Sequence, residues 1–151
     1  PTVYNRCQVL NFLPYSKEAL SKFSLDNVLL DIARTPGQIK HLSEGNKLLE
    51  MTELANKMIT KIGVANIPNM LTISDKIAWK KEKDKFDLDT FALVLNYCIK
   101  NQIKSGQNCF EFYSIIREWN IKRKAPTIIQ KSLFENTLLK LKQCMLLTDN
   151  R

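Results

Sequence analysis

The chain has 151 residues, with 44% hydrophobic and 25% charged side chains, and a net charge of +8. That length suits one ordinary domain or two small ones, and that balance suits a globular protein and excludes a low-complexity tract. Only 4 Gly and 5 Pro are present, which disfavours long loops and many tight turns. The positive charge fits a negatively charged partner such as nucleic acid, and equally fits a role in solubility.

The first segment, Thr2 to Leu13, mixes Val3, Cys7, Val9, Leu10 and Phe12 with polar residues and stops at Pro14. It reads as one extended strand. A lone strand needs a sheet, and no clear strand follows, so the expectation is a cut inside a larger protein. From Ser16 the pattern turns helical. Ser16 caps a short helix running to Phe23. Leu25, Val28, Leu29 and Ile32 mark a second helix, with Asp26 in its first turn, stopping near Arg34. Thr35 is a good N-cap and Pro36 suits the first helical position, so a third helix runs to about Ser43 and Gly45 ends it. Asn46 opens a longer helix carrying Leu48, Leu49, Met51, Leu54, Ala55, Met58 and Ile62, ended by Gly63.

Gly63 to Met70 contains Pro68 and reads as a linker. A helix follows from about Asn69 to Lys83. An amphipathic run from Phe91 to Ile99 ends before Gly106. A further helix spans about Asn108 to Ile121, and Pro126 precedes the last one, which carries Ile128, Ile129, Leu133, Leu138, Leu141 and Met145. The expected fold class is all-α: a bundle of about four short helices, then about four longer ones, with one leftover N-terminal strand. Short helices of this kind are held by packing more than by propensity.

Chemistry is sparse. The chain has no G-x-x-x-x-G-K-[ST] phosphate loop, no G-x-S-x-G and no H-E-x-x-H. Catalysis by Ser-His-Asp or Cys-His would rest on His41 alone, which reads better as a packed or surface histidine. Cys7, Cys98, Cys109 and Cys144 lack C-x-x-C spacing, so no zinc site is expected and reduced thiols in a cytoplasm are the simplest account. No run of about 18 apolar residues is present to span a membrane. Glu50 with Glu53, and the alternating Lys80, Lys81, Glu82, Lys83, Asp84 and Lys85, read as solvated helix faces. Lys122, Arg123 and Lys124 form a basic cluster beside Trp119 that suits either DNA phosphates or a loop between helices. Trp79, Phe91, Tyr97, Phe112, Tyr113, Trp119 and Phe134 fall on helical stripes and read as core, with an intersubunit surface as the alternative. Arg6 lies in the strand, where it is either an exposed strand residue or a guanidinium held toward a phosphate.

Three segments together resemble the clamp-loader family, and its delta-prime subunits best. Pro1-Thr2-Val3-Tyr4-Asn5-Arg6-Cys7-Gln8 is similar to the P-T-I-x-S-R-C-Q run that ends the AAA+ core. The following Phe12-Leu13-Pro14 and Ser16, Glu18 and Leu20 continue the match. Leu30 to Gln38 resembles the lid segment in which S-P-G-R-A opens a helix, and Pro36-Gly37 favours delta-prime over a motor subunit. Leu133 to Leu141 resembles the last collar helix. The resemblance implies the end of the core at 1–13, a helical lid at 14–66 and a collar at 67–151.

It further implies a non-catalytic stator, with no cofactor of its own and no small-molecule substrate. Its partners would be the motor (gamma/tau) and delta subunits, reaching DNA only through the assembled loader. Arg6, within Asn5-Arg6-Cys7, matches the arginine that the family presents to ATP on the adjacent motor subunit. Leu133, Phe134, Leu138 and Leu141 become candidates for the collar interface, and Lys122, Arg123 and Lys124 for DNA contact. Two departures stand out: Asn5 replaces a serine, and Gln38 replaces an arginine of the lid motif Thr35-Pro36-Gly37-Gln38. A nucleotide-sensing lid arginine is therefore not expected. The alternatives are a fragment of a motor subunit and a basic helical DNA-binding domain of winged-helix type.

Overall fold

The structure, a computed structural model, describes residues 13–79, 86–106 and 109–148. Within them lie α1 (Lys17–Leu20), α2 (Asn27–Ile32), α3 (Pro36–Ser43), α4 (Lys47–Lys61), α5 (Ile67–Asp75), β1 (Ile77–Ala78), β2 (Phe86–Asp87), α6 (Leu88–Lys104), α7 (Phe110–Lys122) and α8 (Gln130–Thr148). The described residues are therefore mostly α-helical, with one short parallel strand pair. The strand expected over 1–13, with Asn5, Arg6 and Cys7, lies outside the described residues. So does the alternating run 80–85.

Caps set the helix starts. Ser16 Oγ accepts a hydrogen bond from the Ala19 N–H. Asp26 is itself the N-cap of α2, accepting from Val28 and Leu29, where the sequence placed it in the first turn. Thr35 Oγ1 accepts from Gln38 N–H and Pro36 opens α3. Each such cap satisfies an orphan donor of the first turn. Gly45 takes a φ of 60°, a left-handed turn that a side chain would resist.

Three expectations need correction. The supposed linker around Pro68 is the first turn of α5: Asn66 caps it through Asn69 N–H, and Pro68 sits in the first turn, where its missing N–H costs nothing. The helix expected to reach Lys83 stops at Asp75. Ile77 is fully buried instead, and Trp79 donates its indole N–H to Ser74 O at 3.0 Å. Packing of those two side chains outweighs the helix propensity of the Lys- and Glu-rich sequence beyond, which offers no apolar stripe. Ile77 and Ala78 instead pair in parallel with Phe86 and Asp87. Finally, Leu49 is 58% exposed, and the inner face of α4 is Met51, Ala55, Met58 and Ile59.

A continuous apolar core runs from Leu20 to Leu141, and α4 against α6 is its most extensive helix contact. At the other end α7 and α8 pack together around Phe134. Its ring meets Trp119 at 5.2 Å, Trp79 at 5.4 Å and Phe91 at 6.3 Å between centroids. The buried hydroxyls are satisfied: Thr90 Oγ1 donates to Asp87 Oδ2 at 2.6 Å, and Thr137 Oγ1 to Leu133 O at 2.8 Å. No described helix is long and apolar enough to cross a membrane.

Candidate functional site: a basic groove between α2, α6 and α7

α2 and α7 both pack on α6, and between them they leave a groove of about 380 Å³. Each wall is a helical stripe. Leu93, Asn96, Tyr97 and Lys100 recur at three- and four-residue spacing on α6. Tyr113, Arg117, Asn120, Ile121 and Lys124 do the same on α7 and just past its end. Residues at such spacing share one helix face. The third wall is the end of α2, with Asp31 and Arg34.

The charge of the groove is one-sided. Arg34, Lys100, Arg117, Arg123 and Lys124 line it, against Asp31 as the one carboxylate among the described residues of its lining. Asp31 is already engaged by Lys17 Nζ at 2.6 Å. Tyr97 on α6 and Tyr113 on α7 both line the groove half-buried, so they are only partly core, whereas Phe91, Phe112, Trp119 and Phe134 are buried as expected.

The basic cluster Lys122, Arg123 and Lys124 does not act as a unit. Arg123 caps the end of α7 and is pinned: its guanidinium lies 5.4 Å from the Trp119 ring centroid, its Nε donates to Asn120 Oδ1 at 3.0 Å, and it pairs with Asp89. Lys122 points to Glu118 on its own helix. Glu118 also meets Lys140 of α8 at 3.4 Å, and these two lysines hold its carboxyl below the usual range. Of the cluster only Lys124 is left exposed at the groove.

The collar-interface candidates must also be corrected. Phe134, Leu138 and Leu141 are 0% exposed in the chain's own core, and Leu133 is half-buried beside them. Their apolar surface is already used within the chain. Exposed apolar side chains in the same region are Ile121, Ile129 and Leu139.

The lid motif builds a junction. Gln38 Oε1 accepts from the Arg34 backbone N–H at 2.7 Å, bridging the end of α2 to the start of α3. A Cβ at Gly37 would meet Thr35 Oγ1 at 3.9 Å, an ordinary contact. His41 lies in the last turn of α3, its buried Nε2 without a hydrogen-bond partner among the described residues. Cys98, Cys109 and Cys144 form no disulfide, and no group of three or more metal-ligating side chains occurs among the described residues. The sequence carried the signal for the groove in the paired stripes 93–100 and 113–124, but only packing brings them face to face.

No family model, no curated protein and no solved structure matches this chain.

Proposed function

We propose that this chain is the C-terminal part of a clamp-loader delta-prime subunit, a non-catalytic stator that assembles in the cytoplasm with motor and delta subunits. The observation that carries the reading is motif order. Asn5-Arg6-Cys7 comes first. The capped Thr35-Pro36-Gly37-Gln38 junction follows, and then the helices α5 to α8. Gln38 supports it further, because its side chain is occupied in holding the backbone of Arg34, as suits a lid that senses no nucleotide. Contacts with other collars fall to exposed residues such as Ile121, Ile129 and Leu139. The described strands give the winged-helix alternative little support: β1 and β2 are two residues each, parallel, and precede α6.

Native mass spectrometry of the chain mixed with motor and delta subunits tests the assembly. A mixed complex that Ile129→Asp with Leu139→Asp abolishes is the expected result. No association of the folded chain overturns the reading. Arg6→Ala in the full-length subunit should remove the ATP turnover that depends on the adjacent site while the ring stays intact, since an arginine donated in trans stabilises phosphoryl-transfer charge. Normal turnover by an intact loader would rule out that role.

A further inference from the structure

Arg34, Lys100, Arg117 and Lys124 make no ion pair among the described residues, although other exposed lysines nearby do. The exception in the groove wall, Asp31, is held by Lys17. Like charges converging on one recess repel each other and focus a positive field, which a polyanion relieves. The two half-buried tyrosines stand among these cations, Tyr97 on α6 and Tyr113 on α7. At about 380 Å³ the recess falls within the range of ligand sites, about 300–1,000 Å³. Cations that follow a backbone, interleaved with aromatic rings on which bases stack, are how proteins hold single strands without reading sequence. In a duplex the base faces are stacked on each other and closed to a tyrosine set into a wall.

We propose that this groove binds a short run of single-stranded nucleic acid, with phosphates on Arg34, Lys100 and Arg117 and bases against Tyr97 and Tyr113. The site belongs to one chain and needs no assembly partner. It therefore stands or falls separately from the stator reading.

The test is fluorescence anisotropy of the whole 151-residue chain with a labelled oligothymidylate, a duplex of equal length, and inorganic polyphosphate as competitor. The single strand should bind more tightly than the duplex and weaken with salt at a slope of about −0.7 per phosphate contacted. Lys100→Glu and Arg117→Glu, both at exposed positions, should each weaken binding about tenfold or more and flatten that slope. Tyr97→Leu or Tyr113→Leu should weaken binding at least about fivefold with the slope unchanged, as loss of a stacked base requires. Lys57→Glu, on α4 and outside the groove lining, should change nothing. Circular dichroism checks that each variant is folded. Equal affinity for duplex, full competition by polyphosphate at equal charge, or indifference to both charge reversals would overturn the proposal.

Discussion

Lys142 Nζ donates to two backbone carbonyls 79 and 77 residues away, Gly63 O at 2.7 Å and Ala65 O at 2.6 Å. Both carbonyls lie just past the end of α4, where the helix dipole favours a cation. α8 is thereby tied across the turn between α4 and α5. Gly63 allows the approach, since a Cβ there would stand 3.1 Å from Met145 Cβ.

Lys142→Met should therefore lower the unfolding free energy by about 1.5–3 kcal/mol, the range for charged hydrogen bonds in a partly buried setting. Lys131→Met removes solvent-facing ion pairs with Asp75 and Glu135 and should cost less than about 1 kcal/mol. Urea denaturation of the two variants checks the contrast, and equal effects would refute it.

Arg123→Ala should cost about 1–2 kcal/mol, through loss of the ring contact with Trp119 and of hydrogen bonds to Asn120 and Asp89. Lys124→Ala, exposed beside it, should stay within about 0.5 kcal/mol. Thermal melts separate the two, and the order should not invert.

Phe134→Ala should cost about 3–5 kcal/mol, since it empties the space between three aromatic rings. Leu139→Ala, on the outer side of the same helix, should alter stability far less. Were Phe134 chiefly an intersubunit residue, the isolated chain would tolerate its loss.

The Cys144 thiol is pushed up to about 11, first by burial and then by the neighbouring Glu111 carboxylate, whose Oε2 lies 3.2 Å away. A raised value means less thiolate at any pH below it, so alkylation at pH 8 should be slow and should quicken steadily as pH rises toward 11. Glu111→Gln removes the charge that opposes thiolate, and should speed labelling of Cys144 at pH 8. Mass spectrometry of the modified peptides gives the rates, and an unchanged rate in the variant would exclude the Glu111 effect.

Two helix starts were legible because capping is local: Ser16 and Thr35 each act within three residues of themselves. Asp26 caps α2 over the same short range, yet the apolar spacing alone set it inside the first turn. The end of α5 was not legible, because Ile77 and Trp79 are drawn into the core by partners that sequence spacing does not name, Phe134 among them. The resemblance made Leu138 and Leu141 interface candidates, but it does not say whether the face they cover is closed by the same chain, and both are buried in the chain's own core. The groove was half legible. Its two stripes are periodic, yet Tyr97 and Arg117 meet only once α6 and α7 pack, and Lys142 gives no hint of a partner so far away in the chain.

The two tryptophans of the chain flank one ring, that of Phe134. Intrinsic fluorescence is thus a single reporter placed at the seat of α8. It would follow the undocking of that helix closely while remaining blind to the fraying of α1 to α3. Any intermediate that loses the first three helices but keeps α8 seated would pass as native by tryptophan emission, and would show only in far-ultraviolet ellipticity.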